Sequence, residues 1–390
     1  MSSPLRVALV LPGFCADEGD PCIPVITAFA RAIARHVDLS IYTGEYPFRH
    51  GAYHVHGIPV YCGGGARGKG ARAVGWLRAS RRIAADHRRE PFDLIHAFWA
   101  YPAGVAALAT ARRLSIPFLL SLAGGELAAQ RDARYGGGLR PISRRLIDRA
   151  MAGADAVTVG SSWLCRMVPQ RHRARTRTLP LGLDPQLFPP GPLRVGARLL
   201  AVGALIPIKD YPTMLEAVAQ AYRVRNDLTL SIVGWDGDGD ERSRIKDLIE
   251  RCGLGDAVTI RGSIDYAEMP EIFGAHDLLL HASRHEAQGM AILEALASGM
   301  PVISSDVGIV PELPERLVRA VAPGDAGAMA RAIIDLLADP HYAERAHTEG
   351  PALVRARFDA EDVAWEFVAL YRGMGGDDRN DTGHNDTGHG

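Results

Sequence analysis

The residues with the clearest chemical use lie together in one window of the sequence, between His281 and Glu312. An apolar run ends near His281, a polar loop that contains Glu286 follows, and Gly289 precedes an apolar segment with helical spacing. A helix that begins after a strand of an open α/β sheet presents backbone N–H groups and its positive dipole end, which suit a diphosphate. Glycine at that point lets phosphate oxygens approach the backbone closely. The pattern therefore predicts a diphosphate site where this helix begins.

Glu294 is the one charged residue in this apolar helix, between Leu293 and Ala295. A helix so apolar is expected to be largely buried, and a buried carboxylate needs partners to offset its desolvation. Two interpretations remain open. Glu294 faces solvent on a half-exposed helix, or it accepts hydrogen bonds from the ribose hydroxyls of a bound nucleotide. In the second case Glu286, in the preceding loop, lies nearer a sugar.

The elements that must position these residues alternate along the chain, because short apolar runs are separated by stretches with helical spacing. This order predicts βαβ units and parallel sheets covered on both faces. The chain also exceeds the length at which one core usually keeps growing, which favours two domains. Strands are predicted at Arg6–Leu11, Leu39–Tyr42, Ile58–Tyr61, Leu94–Ala97, Phe118–Leu122, Ala156–Val159, Thr178–Leu181, Leu199–Gly203, Leu228–Val233, Val258–Arg261, Leu278–His281 and Val302–Ser304.

The two glutamates, Glu286 and Glu294, are separated by seven residues and followed by EALASGMPVISSDVG and then by Pro311 and Glu312. This order resembles the signature of retaining glycosyltransferase family four. The resemblance implies the GT-B fold, in which two doubly wound Rossmann-like α/β domains face a central cleft. It also implies that Glu286 contacts the donor sugar and Glu294 the ribose. The diphosphate is then held by backbone amides, carried over here to Gly289, Met290 and Ala291.

A second block, LLAVGALIPIKDYPTMLEAV, is similar to the strand, loop and helix that open the donor domain of that family. The resemblance places Gly203 in the donor site and Lys209 at the phosphate-binding lysine, and it makes Lys209 and Glu286 the catalytic pair. An ammonium group suits the leaving diphosphate, where negative charge develops. The family usually has an arginine where this chain has Ala204, so Arg284 or an arginine of the first domain is expected to supply the missing cation.

Weaker similarities in the first part of the chain suggest residues for the acceptor side of the cleft. FDLIHAFW and LLSLAGGELA resemble two strands of the family and give His96, Gly124 and Glu126 as candidates, and the loop after the first strand gives Gly13. That loop carries Gly19–Asp20 where many members have two glycines. For His96, a buried core histidine remains the alternative to a residue of the cleft.

The resemblance and the Pro- and Gly-rich segment PLGLDPQLFPPGP together predict the domain organisation. Residues 1–182 form an acceptor-binding domain, residues 183–197 a linker, and residues 198–358 the nucleotide-sugar donor domain. Residues 359–372 form a C-terminal helix that packs back on the first domain. Residues 373–390 contain a DTGH repeat without an apolar anchor and are predicted to be disordered.

Charge is distributed unevenly along a chain whose formal net charge is −1. Residues 1–180 contain 25 Lys and Arg against 12 Asp and Glu, which predicts attraction of anionic partners, although a solvated arginine-rich surface explains the bias equally well. The basic stretch Arg67–Arg89 includes Val74, Trp76 and Leu77, so it is a candidate for peripheral contact with an anionic membrane. An ordinary helix that covers the sheet is the alternative. No nucleic-acid partner is expected, because aromatic residues are not interleaved with the basic ones.

Five scattered cysteines without paired spacing favour a reducing cytoplasm and no disulfides or zinc site. No apolar run is long enough to span a bilayer, so the expected location is cytoplasmic, with peripheral association at the cytoplasmic face of a membrane. The DGDGDE segment departs from a calcium loop at its sixth and twelfth positions, Glu241 and Asp247. No metal and no cofactor are expected.

The resemblance thus implies transfer of a hexose-type sugar, with retention of configuration, from a nucleotide diphosphate sugar to a glycan, lipid-linked or small-molecule acceptor. The motifs do not specify the base. Two alternatives remain. An epimerase-like nucleotide-sugar enzyme on the same fold would need no acceptor, and a pseudoenzyme would bind the donor without turnover.

Overall fold

The structure is a computed structural model that describes residues 4–20, 22–64, 68–237 and 239–375. Of the tail predicted to be disordered, residues 373–375 belong to the last helix, so the prediction is wrong for them, and residues 376–390 lie outside the described residues. Arg67 of the basic stretch and Asp238 of the DGDGDE segment also lie outside the described residues. The chain folds into two α/β domains, each built on its own mostly or wholly parallel sheet. The predicted fold class is therefore confirmed.

The first sheet has eight strands in the order β3-β4-β2-β1-β5-β6-β7-β8, all parallel except for the antiparallel pair β3 and β4. The central strands β5, β6 and β7 are buried at every position, as expected for a sheet with helices on both faces. The strands are β1 (Arg6–Gly13), β2 (Asp38–Tyr46), β3 (Gly51–Val55), β4 (Ile58–Cys62), β5 (Leu94–Phe98), β6 (Phe118–Leu122), β7 (Ala156–Val159) and β8 (Thr176–Thr178).

Successive residues of β1 point into two different cores. Val7 and Leu9 pack in one cluster, whereas Ala8 and Val10 pack in the other, which is the two-residue period of a strand. The helices of this domain are α1 (Pro24–Ile33), α2 (Lys69–Arg89), α3 (Val105–Leu114), α4 (Pro141–Gly153), α5 (Ser162–Met167) and α6 (Gln170–Arg173).

The second sheet has six parallel strands in the order β11-β10-β9-β12-β13-β14. Its strands are β9 (Arg198–Val202), β10 (Thr229–Val233), β11 (Val258–Gly262), β12 (Leu278–His281), β13 (Val302–Ser305) and β14 (Val318–Val321). Its helices are α7 (Tyr211–Tyr222), α8 (Glu241–Arg251), α9 (Met269–Gly274), α10 (Met290–Ala297), α11 (Ala326–Ala338) and α12 (Pro340–Arg357). In both sheets the strand order reverses beside the first strand, β1 or β9, and ligands bind at such switch points.

The last helix, α13 (Ala360–Gly375), follows the second domain in sequence but packs on the first. Val363 and Phe367 belong to the same core cluster as β1 and α1, and the ring of Phe367 lies 4.8 Å from that of Phe29, centroid to centroid. Residues 183–197, all of them described, form no helix or strand.

Three of the strands differ from the predictions. The predicted strand Thr178–Leu181 is wrong in position, because β8 ends at Thr178 and Leu181 turns to the second domain, where its backbone N–H donates to Gln288 Oε1 at 2.8 Å. β3 and β14 were not predicted. β3 is an edge strand in which exposed residues alternate with less exposed ones. β14 is only four residues long, and its two middle residues are exposed. Neither strand therefore forms the apolar run that marks a buried strand.

Candidate functional site

A cavity of about 630 Å³ lies between the two domains, at the carboxyl ends of both sheets. The second domain lines it with the residues that follow β9, β10 and β12 and with the start of α10. The first domain lines it with the loop after β1, the start of α1 and the residues after β5 and β6. We call these two sides the donor half and the acceptor half.

The start of α10 forms the floor of the donor half. Gly289 is its N-cap residue with a φ of 102°, a conformation that L side chains rarely adopt. Gly289, Met290 and Ala291 all line the cavity. The first N–H groups of a helix have no partners within the helix, so this arrangement presents donors and the positive dipole end to the cavity. The three residues predicted to hold a diphosphate are brought together here.

The catalytic pair predicted from the sequence is in contact. Lys209 Nζ donates to Glu286 Oε1 at 2.5 Å, and both residues line the cavity. Lys209 also lies against Gly203, where an added Cβ would approach the lysine Cε to 3.1 Å. Gly203 has a φ of 159°, close to extended backbone, so its role is to leave room for the lysine stem.

His281 is a residue of this site that sequence reasoning did not single out. Its Nε2 lies 3.1 Å from Glu286 Oε1 and its Nδ1 lies 3.0 Å from Ser304 Oγ. A carboxylate oxygen only accepts, so Nε2 carries the hydrogen of that bond. The imidazole is 3% exposed at its side chain and lines the cavity. Glu286 is therefore held from two sides, by Lys209 and by His281.

These contacts set the charge of Glu286. Burial alone would raise its pKa, but the Lys209 ammonium and the hydrogen bond from His281 hold the pKa of Glu286 well below its usual range. The carboxylate is thus ionised at neutral pH and accepts hydrogen bonds. It suits hydroxyl groups of a sugar.

Glu294 is buried, with 6% of its surface exposed, and it lines the cavity. Of the two interpretations left open, the solvent-facing side chain is therefore wrong, because α10 is buried on all sides from Ile292 onward. Glu294 Oε1 accepts a hydrogen bond from the Tyr266 hydroxyl at 3.0 Å. Burial raises the pKa of Glu294 to about 7, and the Tyr266 bond opposes that rise. A carboxyl that titrates near neutrality stands where ribose hydroxyls are expected.

Contacts between the domains surround the loop before α10. Gln288 bonds the backbone of Leu181 in both directions, at 2.8 Å each, and Ser161 Oγ donates to the carbonyl of Ala287 at 2.8 Å. Glu312 accepts the backbone N–H of Ser162 at 2.6 Å. The Pro-Glu pair after the main motif therefore helps to fix the two domains against each other.

Of the residues predicted for the acceptor side, Gly124 lines the cavity but Glu126 does not. Glu126 is buried and accepts the backbone N–H of Gly124 at 2.8 Å and that of Ala123 at 3.3 Å. Burial raises the pKa of Glu126, whereas the bonds from the backbone oppose that rise. Glu126 shapes the turn that presents Gly124, which corrects its predicted place in the cleft.

His96 and Gly13 also lie away from the cavity lining. The His96 ring is fully buried and contacts the Tyr371 hydroxyl and Ser121 Oγ, each at 2.8 Å. Burial lowers the pKa of His96 to about 3, so it is neutral. It is a core histidine that joins α13 to the first sheet, as the alternative interpretation had it. Gly13 packs against Tyr46, whose Cβ would lie 2.8 Å from a Cβ at this glycine.

The missing cation is not replaced by Arg284. Ala204 lines the cavity, but Arg284 pairs with Asp132 of the first domain and approaches Asp210 at 3.8 Å. Within the described part of the chain, Lys209 is the one lysine or arginine among the lining residues. Arg284 does not line the cavity, so the expectation that it supplies the missing cation is wrong. The second nitrogen donor beside Glu286 is instead His281.

Asp236 of the DGDGDE segment pairs with Arg242 at 2.7 Å. The described residues contain no group of three or more His, Cys, Asp or Glu side chains placed to hold a metal ion. The described helices likewise include none that is long and apolar enough to cross a membrane. In α2, Trp76 is buried, whereas Val74 and Leu77 are exposed among arginines.

Two protein-family models match the chain. The model described as Glycosyltransferase Family 4 matches residues 25–187, and the model described as Glycosyl transferases group 1 matches residues 196–352. The two matches follow the two domains and include the residues around α10.

Known relatives are similar over most of the chain. The GDP-mannose-dependent alpha-(1-6)-phosphatidylinositol monomannoside mannosyltransferase of Mycobacterium tuberculosis is 26% identical over 87% of this chain and 95% of its own length. The 2-deoxystreptamine glucosyltransferase of Streptomyces kanamyceticus is 25% identical over 75% of this chain and 78% of its own. The sucrose-phosphate synthase structure from Thermosynechococcus elongatus superposes with a TM-score of 0.77 at 24% identity, covering 95% of this chain and 99% of that one. That likeness confirms the two-domain fold.

Proposed function

We propose that this chain, which belongs to glycosyltransferase family four, transfers a hexose-type sugar with retention of configuration from a nucleotide diphosphate sugar to a glycan, lipid-linked or small-molecule acceptor. The observation that carries the proposal is the Lys209–Glu286 ion pair beside the start of α10. It combines a cation for a leaving diphosphate, backbone donors for phosphate oxygens and a carboxylate for sugar hydroxyls in one cavity.

In this proposal the diphosphate binds at the N-terminus of α10 and Lys209 moves from Glu286 to the phosphate nearest the sugar. The ribose donates its hydroxyl hydrogens to Glu294, which releases Tyr266. His281 keeps Glu286 in place once Lys209 has left, so that the carboxylate accepts the sugar hydroxyls. Each charged group then exchanges one partner for another, and none is left buried without a partner.

The bond between the anomeric carbon and the phosphate oxygen breaks, and its electron pair stays on the phosphate. The acceptor hydroxyl oxygen bonds to the same face of the anomeric carbon, and its proton passes to the leaving phosphate oxygen. Glu286 is bound by Lys209 and His281, which favours a role as hydrogen-bond acceptor over that of a nucleophile. Lys209 and the helix end supply the positive charge, so we expect turnover without an added metal ion or cofactor.

The names of two relatives suggest the chemical class of the acceptor. One acts on a phosphatidylinositol monomannoside and one on 2-deoxystreptamine, and both acceptors contain a six-membered ring that bears hydroxyl groups. We propose an acceptor with such a ring. We also propose cytoplasmic action with peripheral contact to anionic membranes through α2, because Val74 and Leu77 are exposed among its arginines.

The test is a panel of UDP-, GDP- and ADP-sugars in which nucleotide release is measured with and without ring acceptors in the presence of EDTA. We expect one donor to release nucleotide in an acceptor-dependent manner, and NMR of the product to show the anomeric configuration of the donor. Conversion of the donor without an acceptor would support an epimerase, and binding without turnover a pseudoenzyme. An inverted product would contradict the proposed mechanism.

A further inference from the structure

The acceptor half of the cavity is apolar, although the first part of the chain is strongly basic. Its walls come from the start of α1, from the residues after β5, and from the segment that leads out of the domain. The side chains that form these walls include Pro24, Val25, Phe98, Trp99, Leu179 and Leu181. None of them is charged.

Asp20 is the one ionised group among the described residues of this half. The other polar side chains are neutral. Burial raises the pKa of the Cys22 thiol to about 12 and also raises that of the Tyr135 hydroxyl above its usual value. Ser121 is engaged with His96. The acceptor half therefore carries one negative charge and no lysine or arginine in the described chain.

Asp20 is fixed in position by its own loop. Its Oδ2 accepts the backbone N–H of Ala16 and the Tyr46 hydroxyl, each at 2.7 Å, and its Oδ1 accepts the backbone N–H of Cys22 at 3.0 Å. Oδ2 uses both of its lone pairs in these bonds, whereas Oδ1 retains one lone pair for a further donor. Arg49 donates to the carbonyl of Ala16, its guanidinium lies 3.7 Å from the Tyr53 ring centroid, and it is absent from the cavity lining.

Trp99 provides the largest flat surface in this half. Its backbone has a φ of 64° and a ψ of 121°, a conformation that a bulky residue adopts at a cost and that occurs mainly at functional sites. The indole lies over Gly124, where a Cβ would come within 2.9 Å of Nε1. The chain therefore keeps a glycine beneath a strained tryptophan, which orients the indole in the cavity.

These observations indicate which charge an acceptor bound in this half can carry. A free phosphate monoester on a ring in this half would be desolvated beside Asp20, and the described part of the acceptor half has no lysine or arginine to pair with it. Lys209 lies on the donor side of the cavity and pairs with Glu286. In the proposed reaction it pairs with the diphosphate instead. A hydroxyl or ammonium group, in contrast, can donate to Asp20 while the apolar face of a ring lies on Trp99.

We propose, on the basis of the proposed function, that the acceptor site takes an uncharged or amine-bearing ring and excludes a ring that carries a free phosphate monoester, with Asp20 as the charge selector and Trp99 as the platform. The attraction for anions that is predicted from the basic first domain thus does not extend into its half of the cavity. This assignment rests on two positions, 20 and 99, that the sequence did not mark as acceptor residues.

Three probes of one ring size test the proposal: 2-deoxystreptamine, myo-inositol and myo-inositol 1-phosphate, which differ in charge. Their dissociation constants are measured by ligand-observed NMR on the full chain, with and without a saturating nucleoside diphosphate. We expect myo-inositol 1-phosphate to bind at least about tenfold more weakly than myo-inositol, and 2-deoxystreptamine to bind at least as tightly as myo-inositol. Equal or tighter binding of the phosphate, or no binding of any ring, would overturn the proposal.

Variants separate the two residues. Asp20→Asn can keep the bonds from Ala16 and Tyr46 through its amide oxygen and should reduce the spread between the probes to about threefold, and Asp20→Lys should make the phosphate the tightest. Glu18→Gln, an exposed charge change in the same loop, is the control and should leave the order intact. Trp99→Ala should weaken the binding of all three probes by a similar factor and keeps the test informative if an Asp20 variant fails to fold.

An unchanged order of the three dissociation constants in both Asp20 variants contradicts the assignment. Failure of the proposed function appears separately, as loss of nucleotide binding.

Discussion

The two halves of the cavity differ in how their polar groups are held. In the donor half each charged group has a partner that a substrate must replace: Lys209 and His281 bind Glu286, and Tyr266 binds Glu294. In the acceptor half one carboxylate stands among apolar walls. In the proposed function, the donor half therefore exchanges ion pairs and hydrogen bonds with a diphosphate sugar, whereas we propose that the acceptor half selects its ligand by shape and by charge.

The largest effect expected is that of Lys209→Ala. This change removes the cation for the leaving diphosphate and leaves Glu286 with His281 alone, so kcat should fall by about 10³. Lys246→Ala, on the exposed face of α8, is the matched control and should retain full activity. Steady-state kinetics with a saturating donor measures both. If only the donor KM rose and kcat stayed unchanged, Lys209 would bind the donor without assisting departure of the diphosphate. That result would contradict its proposed role in the donor half.

His281→Leu should lower kcat by roughly ten- to a hundredfold, because Glu286 loses the donor that holds it when Lys209 moves to the phosphate. His281→Gln can still donate from its amide and should recover most of that loss. A merely structural role would make the two variants equally poor, with the donor KM and the melting temperature changed alike. His341→Gln, on an exposed histidine, serves as the control.

Donor binding should depend on pH through Glu294. Its folded pKa of about 7 is raised by burial, and only the carboxylate form accepts two ribose hydroxyls. Affinity for the nucleotide should therefore rise about tenfold between pH 6 and pH 8, and Glu294→Gln should flatten the profile. Titration calorimetry at the two pH values measures this. Affinity that falls over the same range would contradict the ribose role.

The same raised pKa affects stability with a definite sign. The folded state holds a proton on Glu294 between the ordinary carboxyl range and pH 7 that the unfolded chain has released, so the free energy of unfolding should fall as pH rises through that window. In Glu294→Gln this contribution should vanish. Chemical denaturation at pH 5 and pH 7.5 compares the two proteins.

The smallest effect is expected in the acceptor half. Gly124→Ala places a Cβ 2.9 Å from Trp99 Nε1 and should displace the indole, which raises the acceptor KM several-fold and leaves nucleotide affinity unchanged. Gly70→Ala, where a Cβ meets no atom within 4 Å, is the control. If Gly124→Ala weakened the donor and spared the acceptor, the assignment of the halves would be reversed.

The sequence predicted the donor half better than the acceptor half for a physical reason. Glu286, Gly289 and Glu294 lie within one strand–loop–helix unit, so their spacing alone places them around one helix end. Lys209 was found through a second such unit. The two-domain fold was predictable in the same way, because buried parallel strands leave continuous apolar runs.

Contacts between distant parts of the chain could not be predicted in this way. His96 was placed near the cleft, but it meets Tyr371, 275 residues away, through a helix that returns from the second domain. The Tyr266–Glu294 bond likewise joins residues 28 positions apart on different elements. Asp20 and Trp99 line the same half of the cavity because β1 and β5 are neighbours in the sheet.

In the proposed reaction, the donor replaces the Lys209–Glu286 ion pair with contacts of its own. A crystal structure of the protein with an intact nucleotide diphosphate sugar tests this most directly. We expect Lys209 Nζ to lie within hydrogen-bond distance of the phosphate next to the sugar, while Glu286 accepts a hydrogen bond from a sugar hydroxyl and stays bonded to His281. A complex in which Lys209 remains on Glu286 and the diphosphate lies away from α10 would contradict it.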